Sequence, residues 1–534
     1  MSGWRTLAPD PAARAVGSGV GACPPPASVV PSWDTQAQID QRLADPDRYR
    51  EWERHVATAG GCSRPVRLRG TAHTIHARTG EVLDSYDTDH APDGVVYKAC
   101  GTRRASVCPA CAETYRQDAY QLLRAGLAGS RSAGVPEFVA AHPLVFLTLT
   151  APGFGLVHGR RERRGKTLPC RARRERAVCG HGRPTWCTHR HRPGDPTIGK
   201  PLCPDCYDYR SHVIFNHHAP ELWRRTTIAL RRLVEPVGRN LDVVLRVSFG
   251  KVAEYQARGV VHYHALIRLD AFEKITDRDG RQTGERPVLP PAGLTGHLLA
   301  QLVTVAVSNA ELVTAPHPDS PHGDGWHLAW GTQVDARAVR DGHATGQLPD
   351  AGPVEDLDVA SYLAKYSTKS TEAVGLLAHR LTLATIDHYA DDSHAGRLIA
   401  AAWHLGRPTA LQPPDADGRR PYDRLRAWAH MLGFGGHFLT KSRRYSTTFA
   451  ERRSRRASWR RRHHLQRLRD QRPDLFHAIA DQAGEDDEET TLVIGHWTYT
   501  GTGWLTTGDQ LLAVAIAARN REHQQIAREE SLVT

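Results

Sequence analysis

Ala257-Arg-Gly-Val-Val-His-Tyr-His-Ala-Leu-Ile-Arg-Leu-Asp270 is the stretch on which the fold turns. It is apolar on both sides of two histidines one residue apart, and reads as a buried strand. Side chains alternate along a strand, so His262 and His264 share a face. Two imidazoles on one rigid strand form a clamp for a divalent metal. The plainer alternative is a half-exposed strand that carries two polar residues.

The flanking residues extend this sheet. Leu241 to Ala253 alternates as a strand and turns near Ala257-Arg258-Gly259. A two-residue turn would set Tyr255 opposite His262, whereas a three-residue loop, Ala257 to Gly259, would set Glu254 there. Gly259 stands where such a loop wants a left-handed residue. Glu254, or Gln256 on the same face, is therefore a candidate third ligand; a solvated strand carboxylate is the other reading. Leu144 to Thr150, β-branched and aromatic and stopped by Pro152, predicts a central strand. Pro220 to Val234 predicts a helix that starts at Pro220 and ends by Pro236 and Gly238. Asp270 to Pro291 reads as a loop, Leu294 to Leu312 as an amphipathic helix, Gly331 to Val339 as a strand, and Asp341 to Glu355 as a linker.

Beyond the linker, Leu357 to Glu372 is helical in pattern, with Asp358 placed to cap it. Tyr362 and Tyr366 are four apart and share a face, as do Lys365 and Lys369. Two phenols flanked by two ammonium groups can hold and attack a phosphate. Core tyrosines and surface lysines are the ordinary alternative.

The ten cysteines fall mostly into two groups. Cys62, Cys100, Cys108 and Cys111, the last two a Cys-x-x-Cys knuckle, match a tetrahedral zinc site in a ribbon whose short strands are Val66 to Leu68 and Gly94 to Tyr97. A redox pair is the alternative. A helix follows from about Ala112 to Ala128. Arg160 to Asp208 holds Cys170, Cys179, His181, Cys187, His189, His191, Cys203 and Cys206 in a stretch with little apolar periodicity, so a metal would have to order it. Cys179, Cys187, Cys203 and Cys206 are the expected ligands, with His181 or His191 as substitutes; a disordered basic insertion with spare thiols is the alternative.

The chain has 534 residues and a net charge of +12, with a pI near 9.3. That length implies two to four domains. The charge points to an acidic partner, nucleic acid first. No apolar run spans a bilayer and no secretory signal is visible, so a cytoplasmic, reducing setting is expected. Residues 1 to about 45, rich in Ala, Pro and Gly near the start, read as a mobile tail. Leu376 to Leu405 and Tyr422 to Leu432 are helical in pattern. Arg443, Arg444, Arg452, Arg453, Arg455, Arg456 and Arg460, interleaved with Tyr445 and Trp459, form a candidate DNA-binding segment, or else a solvated basic helix. Asp481 to Glu489 reads as an acidic hinge, Thr491 to Thr507 as a hairpin, and Gln510 to Glu529 as a last helix capped by Asp509. No Gly-rich phosphate loop ending in Gly-Lys-Ser or Gly-Lys-Thr is present, so no ATP-driven strand separation is expected from the chain itself.

Phe146-Leu-Thr-Leu-Thr150, Val261-His-Tyr-His-Ala-Leu-Ile267 and Tyr362-Leu-Ala-Lys-Tyr-Ser-Thr-Lys369 stand in an order that resembles the three motifs of HUH endonucleases. The nearest likeness is to the rolling-circle replication initiators of actinobacterial plasmids and integrative elements. It covers roughly Cys62 to Ser446. The resemblance implies an α+β fold: a five-stranded antiparallel sheet with the histidines on a central strand and the tyrosine helix against it. It implies that His262 and His264 hold Mg²⁺ or Mn²⁺ and that Tyr366 is the nucleophile, with Tyr362 a second or auxiliary tyrosine. It also implies that single-stranded origin DNA is nicked through a 5′-phosphotyrosine, with a host helicase and polymerase as partners and no membrane. Here the cysteine-rich stretch separates the first two motifs, which implies an inserted zinc module.

The expected division is a tail to 45, a zinc-ribbon-like module and helix over 46–135, a nuclease core over 136–375 with the insertion at 160–210, a helical basic region over 376–475, and a hairpin-helix module over 476–534. The rival readings are a related transposase or relaxase, and a non-catalytic zinc-containing DNA-binding regulator.

Overall fold

The computed structural model describes residues 33–533 except 77–79, 173–176, 280, 341–355, 369–378, 409–417, 419 and 472–490. The first 32 residues of the expected tail, the linker after Arg340, Lys369 and the acidic hinge thus lie outside the described residues. The fold is α+β with antiparallel sheets, in two compact units: Ala119–Thr447, and Met1–Asp118 together with Thr448–Thr534.

The first of these units is built on a six-stranded antiparallel sheet. Five strands run in the order Val334–Arg340, Leu144–Leu149, Val261–Thr276, Val244–Tyr255 and Leu439–Lys441, so the two-histidine strand is in the middle. Gln282–Val288 pairs with its far end. The expected loop from Asp270 to Pro291 is therefore a long β arm. Its charges are cross-strand partners rather than loop markers: Arg286 meets Glu273 at 2.6 Å and Arg246 meets Glu285 at 2.6 Å.

Strand alternation gives the sheet two faces. On one, Val145, Leu147, Leu149, Tyr263, Ala265 and Ile267 join the core under the helices Tyr209–Asn240 and Gly296–Ser308. The first helix runs on through Pro220 and Pro236, where its start and its end were expected. Each internal proline costs about 3 kcal/mol. The buried stripe from His212 to Val234, with Phe215, Leu222, Trp223 and Leu230, outweighs that cost. The helix begins instead at Asp208, whose side chain accepts from the Ser211 N–H at 2.9 Å. Helix from Leu376 to Leu405 shrinks to Ile386–Tyr389 and His394–Leu405, and Tyr422 to Leu432 to Asp423–Ala427 and a 3₁₀ turn.

The other unit joins sequence-distant segments. Val66–His76 pairs antiparallel with Val82–Asp87, Val96–Lys98 and Thr491–Thr502. The expected hairpin over Thr491 to Thr507 is one continuous strand, because its partner is the N-terminal strand and not its own continuation. Its small core packs Trp52, Tyr97 and Trp504 around the first cysteine group. The Trp504 indole donates to the Cys62 carbonyl at 3.0 Å. Part of the expected tail is a helix, Trp33–Leu43, tied down by Arg42, which bridges Asp93 and Asp509 at 2.8 and 2.7 Å. The C-terminal segment is thus part of this unit rather than a module of its own. Thr506 and Asp509 cap its helix, Thr507–Val533, reciprocally.

Candidate active site

The candidate residues lie on the second face of the sheet. Tyr255 pairs with Val261 and Glu254 with His262, leaving Ala257 to Gly259 as a three-residue loop. Gly259 has φ +83°, and a Cβ there would sit 2.7 Å from the Leu432 side chain. Glycine at this position therefore fixes the loop length, and the loop length sets Glu254 opposite His262.

Glu254, His262 and His264 offer three ligand atoms within 4.8 Å of one another. All three are well shielded: His262 and His264 are buried, and the Glu254 carboxylate lies 3.8 Å from His264 Nε2. The neighbouring strand contributes Thr148, opposite His264, whose Oγ1 is 3.2 Å from His264 Nδ1. That contact occupies Nδ1 and leaves Nε2 towards the carboxylate, which is how metal-binding imidazoles are commonly oriented. Gln256 Nε2 lies 3.5 Å from His262 Nδ1. Phe146 stacks on His264 with centroids 5.6 Å apart. The Leu-Thr-Leu-Thr alternation was the available sign for Thr148, but its pairing with His264 depends on a register that spans 116 residues.

Farther along the same strand lies a buried polar cluster. Asp270 accepts from Arg268, at 2.6 Å, and from Ser248, at 2.6 Å, and contacts His142 at 2.8 Å. Burial raises the Asp270 carboxyl, but the His142 contact and the Arg268 charge hold it below its ordinary value.

The tyrosine helix, Asp356–Thr368, packs on the strand Val244–Tyr255. Leu363 and Ala364 are buried, whereas Tyr362 and Lys365 are exposed. The Tyr362 ring stands edge-on to His264, with centroids 5.7 Å apart, and to Phe146 at 6.2 Å. The structure therefore brings Tyr362 to the histidine pair. Tyr366 is one turn further along the helix, and its side chain, like all of Lys369, lies outside the described residues.

The cysteine groups divide differently from expectation. Cys62, Cys100, Cys108 and Cys111 do converge. Cys62 and Cys108 sulfurs are 3.7 Å apart, and the Cys100 and Ser63 amides donate to Cys62 and Cys108. In the second group Cys179, Cys203 and Cys206 meet His181, while Cys187 lies elsewhere, with His158, Cys170 and His191. Sequence spacing did not separate these because the Cys179-to-Cys187 segment folds back: Val178 bridges Pro184 and Arg171 bridges Cys187.

The arginines divide as well. Arg456 is held by buried Asp118 through contacts of 2.5 and 2.7 Å, with Arg452 at 3.5 Å, and Arg444 lies 3.6 Å from Glu285. Arg443, Arg453, Arg455 and Arg460 are exposed, as is Trp459.

The family model RepSA, described as a replication initiator protein of pSAM2, matches residues 48–518. The chain belongs to this family of replication initiators. A replication initiator protein from Streptomyces ambofaciens is 39% identical over 495 residues, covering 91% of this chain and 94% of the relative. No solved structure matches the chain. No helix among the described residues is long and apolar enough to cross a membrane.

Proposed function

We propose that the chain starts replication as an HUH-type endonuclease, cutting and rejoining single-stranded origin DNA through a tyrosine. The observation that carries this reading is the Tyr362 ring beside His264, within a face that also holds His262 and Glu254. The carboxylate oxygen suits Mg²⁺ or Mn²⁺, and the two imidazole nitrogens favour the softer Mn²⁺. Such an ion, when bound, supplies Lewis-acid polarisation of a phosphate oxygen.

The protein groups do the rest. The nucleophile is the phenol oxygen of Tyr366, one helical turn beyond Tyr362. It forms a bond to phosphorus as the bond from phosphorus to the 3′ oxygen breaks, giving a 5′-phosphotyrosine and a free 3′-hydroxyl. An ordinary phenol loses its proton only near pH ~10. An ammonium group near the phenol, that of Lys365 or Lys369, favours the phenolate. The proton given up by the phenol balances the one gained by the 3′ oxygen. The phosphotyrosine preserves the bond energy, so rejoining needs no ATP. Tyr362 serves the second cut that closes a round. The 3′-hydroxyl primes a host polymerase, with a host helicase opening the duplex. Zn²⁺ on Cys62, Cys100, Cys108 and Cys111, and on the Cys179, Cys203 and Cys206 group, is structural. The exposed arginines grip the flanking duplex.

The test is cleavage of a labelled origin oligonucleotide with Mg²⁺, followed by mass spectrometry of the tyrosine that carries DNA. An adduct on Tyr366 or Tyr362 is expected. Tight binding with no cleavage and no adduct would leave a DNA-binding regulator instead.

A further inference from the structure

We propose that the insertion between the first two motifs is a cross-braced module with two zinc centres, one of them a Cys2His2 site on His158, Cys170, Cys187 and His191. The other centre is Cys179, His181, Cys203 and Cys206. Each set offers four ligand atoms within 4.8 Å of one another. In chain order the ligands fall in pairs: His158 and Cys170 to the first centre, Cys179 and His181 to the second, Cys187 and His191 to the first, Cys203 and Cys206 to the second. Neither centre is a contiguous finger, and each closes a loop around the other.

The ligand separations suit tetrahedral zinc. Zn–S near ~2.3 Å and Zn–N near ~2.0 Å at a tetrahedral angle put sulfur and nitrogen roughly 3.6 Å apart. Cys187 Sγ is 3.8 Å from His191 Nε2, Cys170 Sγ is 3.9 Å from His158 Nδ1, and Cys206 Sγ is 3.3 Å from His181 Nδ1. The surroundings are those of a ligand site. The Gly159 amide donates to Cys170 Sγ at 3.2 Å, as amides do to metal-bound thiolates. Asp195 Oδ2 holds His191 Nδ1 at 2.7 Å and so points Nε2 at Cys187. His191 is 3% exposed, an expensive place for an imidazole that does nothing.

The second independent observation is the absence of any other core. Among the described residues from 158 to 206 the buried ones are Cys170, His191, Gly199, Pro201 and Cys203, and three of those five are ligands. Apolar burial cannot order this segment, so metal binding must supply the folding free energy. The module also has a mechanical role. Gly199, at φ +87°, rests on the Ala257–Arg258 backbone so closely that a Cβ would meet Ala257 at 2.4 Å. That is the loop whose length faces Glu254 to His262, so the metal-ordered module steadies the register of the catalytic strand.

The proposal goes beyond the nicking reading, and its test counts metal rather than activity. Native mass spectrometry and elemental analysis of the purified full chain should give three zinc ions: two in the module and one on the Cys62 group. Cys187→Ser should lower the count to two or fewer. Cys187→His, which keeps a ligand in place, should restore three. Cobalt substitution should add the absorption of a two-thiolate site, lost selectively in Cys187→Ser. A wild-type count of two, unchanged in Cys187→Ser, would overturn the Cys2His2 centre.

Discussion

The Tyr362 ring meets the His264 imidazole edge-on, centroids 5.7 Å apart, although 98 positions separate them in the chain. The contact is made across the sheet face that also holds Phe146 and Thr148, so parts of all three sequence motifs converge there. In the proposed reaction each of the two cuts has its own tyrosine. Tyr366→Phe should abolish the first-cut adduct with origin binding intact, and Tyr362→Phe should spare that adduct but block strand closure. Peptide mapping of the DNA-linked tyrosine checks the order, and an adduct on Tyr362 in the wild type would reverse it.

The ligand set makes a graded prediction. Replacing His262 and His264 together with alanine should reduce Mg²⁺- or Mn²⁺-dependent cleavage by roughly 100-fold or more, since several kcal/mol of charge stabilisation is lost. Thr148→Val keeps the ligands but frees the His264 ring. It should weaken metal affinity roughly 10-fold. Metal titrations followed by cleavage separate the two effects, because excess Mn²⁺ rescues Thr148→Val and not the double variant.

Acid sensitivity has a specific source in His212. It is fully buried, stacked on Phe154 at 5.1 Å, and bonded to the Tyr207 hydroxyl at 2.9 Å. Burial pushes it down to about 3. The folded protein therefore keeps it neutral, while the unfolded chain protonates it near pH 6.5. The stability contribution is complete above that pH and is lost as pH falls towards 3, at a slope of about 1.4 kcal/mol per pH unit. Denaturant midpoints at pH 7 and pH 5 should converge in His212→Gln relative to the wild type.

The two kinds of arginine should separate in DNA binding. Arg453→Ala, Arg455→Ala and Arg460→Ala together should weaken binding at every sequence and reduce the salt slope by about 0.9 per lost phosphate contact. Arg456→Ala should leave the slope alone. It should instead cost about 1–2 kcal/mol of stability, because Asp118 stays buried while the arginine is partly screened by water. Fluorescence anisotropy over a salt series reads the first, thermal unfolding the second.

Gly259→Ala tests the register. A left-handed φ costs an alanine about 1 kcal/mol or more, and its methyl meets Leu432 and Leu398 at 2.7 and 3.2 Å. Cleavage should fall further than DNA binding, and the loss should be partly reversed by Leu432→Ala.

How much of this was written in the sequence depends on range. The strand with His262 and His264, its partner and the two possible loop lengths were readable, because alternation and Gly259 are local signals. The convergence of Cys62, Cys100, Cys108 and Cys111 was readable because thiols stand out in an otherwise polar stretch. The partition of the second group was not, since it depends on how the chain folds back between Cys170 and Cys203. The helix through Pro220 and Pro236 was missed because its packing partners, the sheet and the helix from Gly296, are remote. The strand from Thr491 reads locally as a hairpin because nothing near it names Val66–His76 as its mate. The charged arm from Asp270 looked like a loop because both its faces see water.

That last pairing bears on biosynthesis. A ribosome releases residues 66 to 76 long before residues 491 to 502, so the cysteine cluster beside Trp504 waits for most of translation without its indole roof or its longest strand neighbour. The Ala119–Thr447 unit can complete its own contacts first. A chain cut short by a nonsense codon after Thr447 would carry the two-histidine sheet but an unfinished cysteine module, open to proteolysis. Completion of the polypeptide is thereby built into which molecules survive to start replication.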